Sequence, residues 1–135
     1  MESLPRRESA GPNPPEEGRL HAQLVRRQEQ YLIRLAGEID LGTVSVLYEA
    51  IHTCLGTRPA VVVISLEGVS FCDCAGLRAL LQARLEIVQA GAECHVQGPL
   101  QSAVASLIGH TRTAAGLGMH EHEAGHGQHG GPPTA

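Results

Sequence analysis

The segment Ala60-Val61-Val62-Val63-Ile64-Ser65-Leu66 restricts this chain more than any other. A near-unbroken β-branched run of that length reads as a central strand covered on both sides. Its apolar stretch, Ala60 to Ile64, falls far below the roughly 20 residues needed to cross a bilayer. On either side the hydrophobic period becomes helical. Val44, Leu47, Tyr48, Ile51 and Leu55 share one face before Gly56. Leu77, Leu80, Leu81, Leu85 and Val88 trace a second stripe, with Arg78, Gln82 and Glu86 pointing away and Gly91 ending the helix. A buried strand between two amphipathic helices implies an α/β fold.

The flanks extend the pattern. Leu20 to Arg26 and Tyr31 to Ala36 read as strands joined across Arg27–Gln30 in a hairpin, followed by a break at Gly37–Gly42. Glu93–Gln97 reads as a short strand with Cys94 and Val96 on one face and His95 on the other. Pro99 stands at the first position of a third helix, whose stripe is Leu100, Val104, Leu107 and Ile108 before Gly109. The predicted fold is α/β, a mixed β-sheet with flanking α-helices in the order β-β-α-β-α-β-α, with right-handed crossovers between parallel strands. Thr111–Gly118 is dominated by small residues and is assigned no element. The folded part is therefore residues 19–118, the size of an ordinary small domain. Residues 1–18, broken by Pro5, Pro12, Pro14 and Pro15, and the His- and Gly-rich residues 119–135 carry too little apolar surface to offset ordering, and both read as tails.

Charge and cysteine usage exclude several functions. The formal net charge of −4 lies entirely in the two tails, because the eight Arg of residues 19–118 balance six Glu and two Asp. There is no Lys, and Tyr31, Tyr48 and Phe71 are the aromatics, so neither a basic face nor a stacking platform for nucleic acid is present. Met1 to Glu17 is polar and proline-broken, with no apolar core for an export signal, so the expected location is cytoplasmic. Cys54, Cys72, Cys74 and Cys94 lack the paired spacing of a zinc knuckle and read as reduced thiols. His52, His95 and His110 stand isolated from any nucleophile. His120, His122, His126 and His129, with Glu121 and Glu123, could take up zinc, nickel or copper, but nothing around them fixes such ligands, and they read as a solvated tail. No metal or cofactor site is expected.

The two aspartates mark the informative junctions. Asp40 ends Gly37-Glu38-Ile39-Asp40 before the first helix, and Asp73 lies in Gly68-Val69-Ser70-Phe71-Cys72-Asp73-Cys74-Ala75-Gly76-Leu77 before the second. A short carboxylate can fold back on adjacent N–H groups, so both read first as helix caps. Taken together, this text resembles the STAS domain of bacterial anti-sigma factor antagonists over residues 20–110. The family text is Asp-Ser-Ser-Gly-Leu or Asp-Ser-Ala-Gly-Leu. The resemblance implies that the first serine is phosphorylated by a partner anti-sigma factor that is also a kinase, and that the unphosphorylated form binds this partner. On that match Asp73 takes the place of the family Asp, Cys74 that of the phosphoacceptor serine, and Gly76-Leu77 that of the Gly-Leu pair. Asp40 matches the acidic residue of the turn near the kinase-facing surface.

This chain departs from the family at the acceptor. Cys74 is a thiol and Ala75 has no nucleophile, while Ser70 precedes the motif out of register. The implied protein binds its partner without being switched by that phosphorylation, acting by contact rather than by catalysis. Gly37-Glu38 and Gly76-Leu77 are too sparse for a phosphate loop. The expected partner-binding surface is Asp40 with Phe71, Asp73, Cys74, Ala75, Gly76, Leu77 and Arg78, and the expected partner is a kinase-type anti-sigma factor of histidine-kinase-like fold. Arg78 and Arg84 both lie on the second helix, with Arg78 exposed. Two other readings fit the same residues. One is a STAS scaffold subunit of a lipid-transport or signalling assembly, which needs no acceptor. The other is thiol redox regulation through Cys74: the helix dipole favours its thiolate, Asp73 opposes it, and Cys72 is the candidate resolving thiol.

Overall fold

A computed structural model describes residues 19–119. Its elements are β1 (Leu20–Arg27), β2 (Gln30–Ile39), α1 (Val44–Leu55), β3 (Val61–Cys72), α2 (Cys74–Gln89), β4 (Glu93–Gln97) and α3 (Ser102–Thr111), the class and order expected. One mixed sheet runs β1-β2-β3-β4. The β1–β2 pair is antiparallel, and β2–β3 and β3–β4 are parallel. Both crossovers step the same way across the sheet, so the right-handed rule puts α1 and α2 on one face.

That face carries the core. Ile33 pairs with Ile64 and Ile64 with Val96, and these pack with Leu35, Val62, Leu66 and Cys94 against Leu47 and Ile51 of α1 and Leu80, Ala83 and Ile87 of α2. The opposite face presents His21, Gln23, Arg34, His95 and Gln97 to solvent. Cover on both sides of the central strand is thus corrected. Val62, Ile64 and Leu66 face the helices, Val61 and Ser65 are half-buried on the other side, and Val63 is buried beside its β2 partner Leu32. β-Branched side chains suit a pleated surface on either face, so an unbroken run does not require two covering layers.

Several boundaries also shift. β2 continues through Gly37 to Ile39, and β3 continues through Phe71 to Cys72, because the two strands stay paired through register shifts at Arg34/Ala36 and Gly37/Glu38. Gly68 marks that irregularity and not a strand end, since a Cβ there would lie 2.9 Å from the Leu35 carbonyl oxygen. On α2, Leu85 and Val88 are 47% and 44% exposed, and the buried stripe is Gly76, Leu77, Leu80, Ala83 and Ile87. The Gly98–Pro99 peptide is cis, α3 starts only at Ser102, and the helix runs through Gly109 to end at Arg112 in the left-handed region. α3 packs beside the second half of β3, beyond the end of β4, where the Gln101 side-chain amide donates to the Glu67 carbonyl at 3.0 Å.

After α3, Leu117 and Met119 donate back to Thr113 and Ala114 and bury their side chains. This turn passes Arg84, whose Nη1 donates to the Gly116 carbonyl at 3.5 Å. The expected tail at 119–135 is corrected at its first residue, since Met119 is buried in the fold; residues 1–18 and 120–135 lie outside the described residues. Among the described residues no helix is long and apolar enough to cross a membrane.

Candidate functional site

Parallel β2 and β3 deliver their C-terminal ends to the same edge of the sheet. Glu38 pairs with Phe71 and Ile39 with Cys72, and the Asp73 N–H donates to the Ile39 carbonyl at 3.2 Å. The turn carrying Asp40 and the start of α2 are therefore tied together through backbone.

At the α2 junction Asp73 is the N-cap, in an extended conformation, and its Oδ1 accepts the Gly76 N–H at 2.8 Å. Such a cap satisfies one of the orphan donors of a helix start. Cys74 is the first helical residue and is exposed, as is Arg78 one turn on. Ala75 is half-buried and Phe71 is 43% exposed. Gly76 and Leu77 turn inward, and this corrects their expected place on the contact surface. Leu77 sits in the core, and Gly76 lies so close to β2 that a Cβ would collide with the Ile39 carbonyl. These two residues position the helix start; they do not present themselves to a partner.

At the other junction Asp40 does not cap α1, a second correction. Its Oδ1 accepts the Gly42 N–H at 3.0 Å, closing the turn, and Thr43 occupies the N-cap position. Thr43 is buried; its hydroxyl donates to the Glu38 carbonyl at 2.9 Å and accepts the Asp40 N–H at 3.0 Å. The helix starts later than Asp40 because Leu41 and Gly42 are needed to turn the chain. Thr43 could have been read from sequence as a preferred N-cap type directly before the apolar period. Leu41, 76% exposed at the tip of this turn, was also missed. Its signal is a leucine between Asp40 and Gly42 that belongs to neither neighbouring periodic stripe.

The four cysteines divide sharply. Cys54, Cys72 and Cys94 are buried and Cys74 is exposed, all as free thiols. Burial foremost, with the Asp73 and Cys74 charges behind it, pushes the Cys72 thiol up to about 12. Burial pushes Cys54 and Cys94 up to about 11, reinforced at Cys54 by Cys94 and opposed at Cys94 by Arg84. Cys72 donates to the Asp73 carbonyl at 3.5 Å from the inward side of β3, so the expected pairing of Cys72 with Cys74 as resolving thiol finds no support in the arrangement. A thiol-reactive probe at mildly alkaline pH is expected to titrate one cysteine in the native chain, Cys74, and all four after unfolding, with peptide mapping to identify the site.

The same burial gives the fold an alkaline limit. In the unfolded chain these thiols ionise near their ordinary value of 9.0, whereas the folded state holds its protons up to about 11 or 12. The folded state thus binds more protons in that interval. Stability is full below about pH 9 and is lost as pH rises toward 11, which a urea midpoint at neutral pH and near pH 11 will show as a fall.

The histidines form no metal centre among the described residues. His52 meets Glu86 and His95 meets Glu93, each at 3.5 Å, and the His110 ring shares a hydrogen bond with the Ser106 carbonyl.

A two-layer mixed sheet of this order, with two parallel strand ends and a capped helix start at one edge, defines the α/β class to which the sequence pattern pointed. The sequence model of the STAS domain matches residues 21–116, and the chain belongs to the STAS domain family. Solved structures agree on the fold. An anti-sigma factor antagonist from Mycobacterium paratuberculosis superposes with a TM-score of 0.62 at 21% identity, covering 76% of this chain and 86% of the other. The anti-sigma factor antagonist SpoIIAA in its unphosphorylated form gives a TM-score of 0.57 at 24% identity, covering 73% of this chain and 83% of the other. The phosphorylated form of SpoIIAA, described as a Bacillus cell fate determinant, gives 0.55 at 23%, covering 73% and 86%. A comparison with curated protein sequences returns no match.

Proposed function

We propose that this chain is an anti-sigma factor antagonist that regulates transcription in the bacterial cytoplasm by docking on a kinase-type anti-sigma factor of histidine-kinase-like fold, and that it is not switched by phosphorylation at the family position. The docking surface is the Asp40 turn with Phe71, Asp73, Cys74, Ala75 and Arg78. One observation carries this reading: residue 74 is exposed as the first residue of α2 behind the Asp73 cap, where the STAS resemblance puts the serine, and it is a thiol. A phosphate there would add about −1.5 to −2 charges in the middle of the surface. Without a hydroxyl that charge has no point of attachment, so the chain stays competent to dock and its control lies elsewhere.

The test is direct titration of the purified chain with each histidine-kinase-fold anti-sigma factor of its own genome, with ATP present. One of them should bind with a Kd of about a micromolar or tighter, and the intact mass of the chain should be unchanged after incubation. Uptake of one phosphate on any serine removes the blocked-switch reading. Binding to a transporter ATPase in place of every kinase assigns the chain to the scaffold role.

A further inference from the structure

Four polar side chains of the docking edge are already engaged within the chain. The Asp73 carboxylate accepts from Gly76, the Asp40 carboxylate from Gly42, the Thr43 hydroxyl donates to Glu38, and the Ser70 hydroxyl donates to Gly37 at 3.3 Å. Each holds a strand end or helix start in place, and pulling one outward would leave a backbone group unpaired. Besides the exposed Cys74 and Arg78, the edge offers large apolar side chains outward. Among the described residues the exposed large hydrophobics are Leu41, Phe71, Leu85 and Val88, and Leu41 is the most exposed of them. Leu85 and Val88 lie well down α2, whereas Leu41 lies in the turn two residues past the end of β2 and Phe71 is the penultimate residue of the paired strand β3.

We infer that Leu41 and Phe71 are a two-point apolar anchor that supplies most of the affinity for the anti-sigma factor, which must offer an apolar pocket at each point. The inference rests on the docking surface proposed above and specifies how that surface binds. Large apolar residues exposed in the free chain gain free energy when an interface core, more apolar than its rim, removes them from water. The rim carboxylates Glu38, Asp40 and Asp73 then match a basic border around those pockets and set orientation more than affinity. Leu41, carried on a turn whose conformation Asp40 fixes, enters the interface already ordered, which keeps the cost of immobilisation low.

Calorimetric titration of the anti-sigma factor found above tests this with four versions of the full chain: wild type, Leu41→Ala, Phe71→Ala and Leu85→Ala. All three positions are exposed, and unchanged circular dichroism and melting confirm that each variant folds. Leu41→Ala and Phe71→Ala should each raise Kd by about tenfold or more, Leu85→Ala should leave it within about twofold, and raising the salt should change wild-type binding less than either anchor variant does. If wild type binds while either anchor variant binds equally well, the anchor is wrong and the docking reading stands. If wild type binds no kinase of this fold, both readings fall together.

Discussion

Gly76→Ala is expected to lower the unfolding free energy by about 3 kcal/mol, out of roughly 5–15 for a domain of this size. The new Cβ would lie 2.8 Å from both the carbonyl carbon and the Cγ2 of Ile39, and it would collide with the Ile39 carbonyl oxygen. That oxygen cannot yield, because it belongs to the backbone of β2 and accepts the Asp73 N–H. Relief must come from α2, whose first turn would move off the sheet. Such a movement pulls Asp73 from the Gly76 N–H and Leu77 from the core, so a lost cap of about 1 kcal/mol adds to the overpacking. Gly109→Ala is the contrasting case. It lies within α3 with nothing within 4 Å of a new Cβ, so alanine should stabilise by about 0.8 kcal/mol through helix propensity. Urea midpoints for the two variants should move in opposite directions. Equal small shifts would mean that α2 can slide on β2, and that the glycine of this motif is not held there by close approach.

The same glycine shows where sequence reading stops. The element order, the β3 core and the α2 start were legible, because β-branched runs and leucine stripes report local period, and Asp73-Cys74-Ala75-Gly76-Leu77 carries a family resemblance. The reason for Gly76 was not legible, since it depends on a β2 carbonyl more than thirty residues earlier in the chain. Leu85 and Val88 were misplaced because α2 carries two apolar stripes. Both carry large side chains, but Gly76, Ala79 and Ala83 let the face with Leu77, Leu80 and Ile87 approach α1 and the sheet closely, and that face is buried. Strand ends at Ala36 and Leu66 fall too early because glycine punctuates turns and bulges alike, and only cross-strand pairing separates the two. In the site, Asp40 was readable as a residue that folds back on N–H groups, but which N–H it takes depends on where α1 begins. Leu41 was invisible to a search keyed on chemistry, because its role comes from exposure alone.

Cys74→Ser should convert the chain from one that takes up no phosphate into one that takes up a single phosphate from the docked kinase. The change exchanges one small exposed side chain for another, so stability should move by less than about 0.5 kcal/mol. It restores what the proposed reaction lacks: a hydroxyl oxygen that attacks the γ-phosphorus of ATP, loses its proton to a base on the kinase and releases ADP. The α2 start is suited to hold the product, since the first-turn N–H groups and the helix dipole favour an anion there. Next to the Asp73 carboxylate, however, the same anion would be stripped of water by the docked partner, and the like charge beside it becomes more costly as water is excluded. A penalty of about 2.7 kcal/mol corresponds to a hundredfold loss of affinity. The phosphorylated variant should therefore release the anti-sigma factor by about that factor, while wild type remains bound under the same ATP. Intact mass measures the first effect and calorimetry the second. A kinase that binds wild type and variant alike yet leaves the new hydroxyl unmodified would show that position 74 is not presented to the active site, and the docking geometry proposed for this edge would have to be abandoned.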